Sequence, residues 1–161
     1  MMIEQLFDIQ RQLDEVILNN HNLHNKDLVP AKILAFEVEL GELANETRCF
    51  KFWSNKKSSP KAVVLEEYVD CLHFLLSIGL DENFVDAQIH IKNSPRDLVQ
   101  QFQEVFLRSS RFYQSLKEED YVALFEVFLS LGQNLGFTWE EIEEGYLRKN
   151  KINHQRQDEG Y

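Results

Sequence analysis

Apolar residues recur along the chain at intervals of three and four and nowhere alternate strictly with polar ones over the length of a strand, so the pattern predicts helices throughout. Over residues 3–18, Leu6, Ile9, Leu13, Val16 and Ile17 share one helical face. A second helix opens near Pro30, a residue suited to a first turn, and carries Ile33, Leu34, Val38 and Leu43 toward Thr47. Ser59-Pro60 reads as a cap followed by a first-turn proline and starts a third helix, through Val64, Leu65, Tyr68, Leu72 and Leu75 to Gly79. Ser94-Pro95 repeats that signal for a fourth helix reaching Gln114, and a fifth spans 117–134 until Leu135-Gly136 stops it. Thr138-Trp-Glu-Glu141 has the spacing of a capping box and opens a sixth helix toward His154. Stretches 19–29, 48–59 and 80–93 break the pattern, the last with room for a short extra helix. The expectation is a single all-α domain over residues 1–161, a bundle of about six helices.

Composition narrows the classes of function. At 161 residues the chain is long enough to bury a core without disulfide or metal staples. Lys plus Arg number 17 and Asp plus Glu 27, a net charge of −10, which argues against a duplex-binding protein that works by neutralising phosphates. An acidic chain can still handle a phosphorylated ligand if its carboxylates hold divalent cations. Cys49 and Cys71 make no disulfide framework, no apolar run approaches the roughly 18–20 residues of a membrane span, and MMIEQLFDIQ lacks a signal-peptide pattern. These features predict a soluble protein of a reducing, cytoplasmic compartment. The chain contains no P-loop, nucleophile elbow, HExxH, CxxC pair or dinucleotide-binding glycine pattern, so covalent catalysis is not suggested.

The candidate chemistry lies in two acidic motifs on successive helices. Glu39-Leu-Gly-Glu42 and Glu67-Tyr-Val-Asp70 each set two carboxylates at i and i+3, on one helix face. If the two helices pack antiparallel, four carboxylates converge in an apolar bundle, where unpaired anions cost several kcal/mol each and Mg²⁺ would relieve them. The alternative is four solvent-facing charges on amphipathic helices, in a protein whose apolar faces serve interaction. Glu46 could extend the acidic face, whereas Glu37 and Glu66 project elsewhere and are expected in solvent. Asp70-x-x-His73 raises a di-iron bundle, though one such pair is too few, and His73 fits better as a hydrogen-bonded core residue. On the last helix Lys149, Asn153 and Arg156 fall in one stripe suited to phosphate oxygens, or equally to the helix dipole. The loop Phe50-Lys-Phe52-Trp53-Ser-Asn55-Lys56-Lys57 offers aromatics to a base and lysines to phosphate, or a plug for the end of the bundle. Gln10 with Asp14 on the first helix could read a base edge or simply face solvent.

Taken together, ELGELANE (39–46), RCFKFWS (48–54), LEEYVDCLHF (65–74) and the tail YLRKNKINHQRQDEGY (146–161) resemble the dimeric, all-α dUTP diphosphatases, relatives of the MazG-like nucleotide pyrophosphohydrolases. The resemblance runs from Leu6 to Tyr161 and is weakest over 80–115. The acidic motifs mark the broader superfamily, and Lys149, Asn153, Arg156 and the final Gly160-Tyr161 mark the dUTP branch. The resemblance implies hydrolysis of dUTP to dUMP and pyrophosphate, with dUDP also accepted and attack on the β-phosphorus. It implies Mg²⁺ on Glu39, Glu42, Glu67 and Asp70, with Glu42 or Glu39, the former favoured, activating the water. Lys149, Asn153 and Arg156 would bind phosphates with help from Lys56, and Trp53 and Gln10 would contribute to the nucleoside pocket. It further implies a homodimer that shares residues across subunits. A pyrophosphohydrolase of another base preference is the alternative within the superfamily.

Overall fold

The computed structural model describes residues 3–93 and 96–161 and contains six helices and, among those residues, no strand. They are α1 (Ile3–His21), α2 (Val29–Thr47), α3 (Lys61–Asp81), α4 (Leu98–Ser115), α5 (Glu118–Asn134) and α6 (Trp139–Asp158). No helix among the described residues is long and apolar enough to cross a membrane.

α3 is the central element, packing against α1, α2, α5 and α6. Its composition explains the position: from Tyr68 to Gly79 all residues are buried except Asp70 and Phe74, which are half-buried. A helix apolar around its whole circumference is stable only when covered on all sides. Side-chain pairs fix the directions of its neighbours. Lys32 of α2 meets Asp81 at 2.6 Å while Glu46 meets Ser59, so α2 runs antiparallel to α3. Gln10 and Asp14 of α1 meet His73 and Ser77 in the same order, so α1 runs parallel to it. Lys61–Glu141 and Asp70–Lys149 give the same direction for α6. α4 and α5 form a hairpin, and α5 closes the far side of α3 through a bond from the Tyr121 hydroxyl to the Leu75 carbonyl.

One close approach on that side depends on a glycine of α5. Tyr68 lies flat on Phe128, rings 4.4 Å apart and 6° from parallel, and its hydroxyl donates to the Phe128 carbonyl at 3.0 Å. A Cβ at Gly132 would stand 2.5 Å from that hydroxyl and 2.7 Å from Cζ. Because Tyr68 is fully buried it has nowhere to retreat. Gly132→Ala is therefore expected to destabilise the protein by about 1–3 kcal/mol, the usual cost of overpacking a core, and thermal unfolding would read this as a lowered Tm.

Three local expectations need correction. Ser59 does not cap α3: its hydroxyl donates to the Glu46 carboxylate, and Pro60 occupies the cap position with no side-chain bond. Ser94-Pro95 lies outside the described residues, and α4 begins at Leu98 behind Asp97, whose side chain accepts from the Gln100 amide. No extra helix forms over 82–93, which runs as turns followed by irregular chain. The capping box at Thr138 and Glu141 forms as its spacing predicts.

Candidate active site

Antiparallel packing brings the middle of α2 against the middle of α3, and the acidic motifs meet there. One oxygen from each of Glu39, Glu67 and Asp70 falls within 4.8 Å of the others. Glu42 stands beside them, close enough to share a hydrogen bond with Glu39 and with Glu67, but its side chain opens to solvent and it is not part of the converging trio. Oε2 of Glu39 and Oε2 of Glu67 are sealed from water and make no hydrogen bond. Buried carboxylate oxygens in protein interiors are normally satisfied, so two such atoms side by side mark an unmet demand for positive charge.

The electrostatics agree. Burial, then the neighbouring Glu42, Asp70 and Glu67, push the Glu39 carboxyl up to about 8. Burial, then Asp70 and Glu42, push Glu67 up to about 7. Asp70 is also raised, by burial, against the opposing pull of Lys149, whose Nζ lies 3.1 Å from it. Lys149 also faces the exposed Glu66 at 3.5 Å. An all-oxygen, multiply anionic, half-buried donor set of this kind fits a hard divalent cation such as Mg²⁺ and offers no soft ligand to a transition metal. His73 takes no part in it, since its Nδ1 is held 2.7 Å from Gln10 Oε1 on α1, which removes the di-iron arrangement.

Two of the trio, Glu39 and Asp70, line a cavity of about 290 Å³ where α1, α2, α3 and α6 meet, and Glu67 stands behind them outside its lining. Glu39 and Asp70 wall one end of it together with Lys149, Asn153 and Arg156, which α6 presents as the predicted stripe. Gln10 walls the cavity from α1, next to His73 and Phe74. Further along, Asp14, Ser77 and Lys32 bring polar groups among Leu13, Ile17 and Leu18. One end is thus charged and suited to phosphate and metal, the other apolar with a few fixed polar groups, which is the usual composition of a small-molecule site.

Trp53 and Lys56 do not line this cavity. They sit on the loop after α2, where Arg48 donates to the Lys56 carbonyl at 3.1 Å and to Ser54 Oγ at 2.9 Å. Trp53 is 65% exposed and Phe52 93%, the Trp53 ring packing edge-on against Phe50 and Phe52, so the loop does not plug the bundle. Glu46 is engaged by Ser59 and braces the loop instead of extending the acidic face. Glu37, expected in solvent, is half-buried and accepts from Ser109 Oγ at 2.8 Å; Glu66 is exposed as expected. Ser77 and Lys32 escaped the sequence reading, although Asp70, His73 and Ser77 form a polar stripe of one helical face on an otherwise apolar α3.

A family model described as dUTPase matches residues 2–161 of the chain. No curated protein matches it.

Proposed function

The chain belongs to the all-helical dUTPase family and is a dUTP diphosphatase, and from that premise we propose that it works with Mg²⁺ held by Glu39, Glu67 and Asp70, releasing dUMP and pyrophosphate. The observation that carries this reading is the convergence of Glu39, Glu67 and Asp70, of which Glu39 and Glu67 each keep a buried, unpartnered oxygen, beside the charged end of the cavity. When bound, a divalent ion neutralises phosphate charge and lowers the pKa of a water on it. Glu42 is the carboxylate left over: it stands beside the trio with an exposed side chain, and its carboxylate takes the proton of the attacking water. Lys149 exchanges Asp70 for phosphate oxygens, and Asn153 and Arg156, on the same stripe, hold the rest of the chain of phosphates. The same clamp accepts dUDP, giving dUMP and phosphate. Gln10 meets the nucleoside at the other end. The exposed loop with Trp53 and Lys56 is an arm offered to the cavity of a second copy, which makes the working unit a homodimer.

The test is hydrolysis of dUTP, dUDP, dCTP, dTTP and UTP with Mg²⁺ and with chelator, products resolved by ion exchange. Selective, Mg²⁺-dependent formation of dUMP and pyrophosphate is expected. Turnover that persists in chelator would remove the metal assignment.

A further inference from the structure

We infer that Glu66 is a positioning residue for Lys149: it receives the ammonium when Asp70 gives its oxygen to a cation, and so lets the site load its metal before the nucleotide arrives. The inference rests on the reading of Glu39, Glu67 and Asp70 as a cation site. Glu66 and Asp70 stand one helical turn apart on the same face of α3. Lys149 reaches between them from α6, its Nζ 3.1 Å from Asp70 Oδ1 and 3.5 Å from Glu66 Oε1. These are its ion pairs among the described residues.

The two carboxylates face different spaces. Asp70 lines the 290 Å³ cavity, and Glu66 does not. Glu66 instead lines a separate groove of about 270 Å³ between α3 and α6, beside Leu65, Val69 and Ile152, where Asp70 has no part. Lys149 lines both, so its side chain is the partition between them. Glu66 also lies outside the three oxygens that converge. Its charge therefore stays available to Lys149 whatever the trio binds.

The need for such a partner follows from burial. The Lys149 side chain is 11% exposed, and a charge so covered is expensive to leave unpaired. A cation at Asp70 takes that partner away and repels the ammonium. Arg156 on the same stripe is another cation, and Glu39 belongs to the trio itself. Glu66 is the carboxylate left over. In the empty site Lys149 leans toward Asp70, the shorter contact. With Asp70 engaged it turns the other way, and the contact to Glu66 tightens. A contact that strengthens in the loaded state shifts the equilibrium toward that state by the amount it strengthens. When phosphates enter, Lys149 already stands at the cavity wall, with N–H groups to spare for their oxygens.

Metal uptake by the full-length, nucleotide-free protein tests this, with Mn²⁺ as the probe and the unbound ion counted by electron paramagnetic resonance. Glu66→Gln should weaken Mn²⁺ binding by about three- to fivefold, the scale of a half-exposed ion pair. Lys149→Met removes the cation that competes for Asp70 and should tighten binding by about tenfold, the scale of a hydrogen bond between charged groups. Adding Glu66→Gln to Lys149→Met should then change little. Glu66→Asp keeps the charge but draws it back by one methylene, beyond ion-pair reach, and should lose nearly as much as Glu66→Gln. Equal losses from Glu66→Gln with and without Lys149 would mean that Glu66 acts through its field alone, and would overturn the proposal. Full affinity in Glu66→Asp would do the same without any change at Lys149. A wild type that takes up no Mn²⁺ brings down the cation reading and the proposal with it. Uptake by the wild type with no loss in Glu66→Gln brings down the proposal alone.

Discussion

Glu42→Gln is expected to lower kcat on dUTP by about 10²–10⁴-fold, the range for loss of a general base, while Tm and the stabilisation conferred by Mg²⁺ stay close to wild type. The split follows from where the side chain lies. Glu42 has an exposed side chain, so the neutral isostere leaves no cavity and strands no charge. It lies outside the set of three oxygens that converge within 4.8 Å, so the cation site keeps its ligands. It remains within hydrogen-bond reach of Glu39 and Glu67, which is where a water activated at that cluster would need a proton acceptor. Glu39→Gln makes the contrast, since it removes a converging ligand and should abolish both turnover and Mg²⁺ stabilisation. Steady-state kinetics paired with melting curves in chelator and in Mg²⁺ separate the roles. Loss of the Mg²⁺-induced Tm rise in Glu42→Gln would make Glu42 a ligand, and wild-type turnover would remove it from the chemistry.

The division of labour among the four carboxylates marks the limit of what spacing tells. The i, i+3 pattern puts the two carboxylates of each motif near one side of their helix, because helical geometry is local, but only Glu39, Glu67 and Asp70 converge and Glu42 stays outside the set. Which of the four would be sealed depends on the crossing of α2 and α3 and on what α6 lays over them, and neither is local. The same limit explains the loop and the caps. Ser59 carries a good cap signal, but the chain returns beside Glu46, whose carboxylate engages the Ser59 hydroxyl, and Pro60 takes the cap position instead. Glu37 has the polar context of a surface residue and is half-buried because α4 packs over it with Ser109. Asp14 and Ser77 are 63 positions apart, and no periodicity within one helix announces their bond. Trp53 was legible as unusual and not as to where it points, since its exposure is a property of the folded surface.

Removing the metal should leave a protein whose stability falls as pH rises from about 6.5 to 8, the reverse of common acid denaturation. Glu39 is raised to about 8 and Glu67 to about 7, both above an ordinary carboxyl. In this window the folded chain therefore holds more protons than the unfolded one, and linkage makes the slope of stability with pH negative. The contribution is whole below the ordinary carboxyl pKa and is lost as pH climbs through the raised values. His73 acts in the opposite sense, because its ring is pushed down to about 3 when folded and charges freely when unfolded. Its penalty sets in only as pH falls below about 6.5, the ordinary histidine value, so the carboxylates have the window above it to themselves. Mg²⁺ needs those carboxylates ionised, so its stabilisation grows over the same interval as binding releases protons. Melting curves at pH 6.5, 7.2 and 8.0 should show Tm falling in chelator and the Mg²⁺ increment widening. Glu67→Gln should flatten both trends, since it removes one of the titrating groups and a ligand together. A chelated protein whose Tm rises over this window would mean that the trio is solvated and holds no cation.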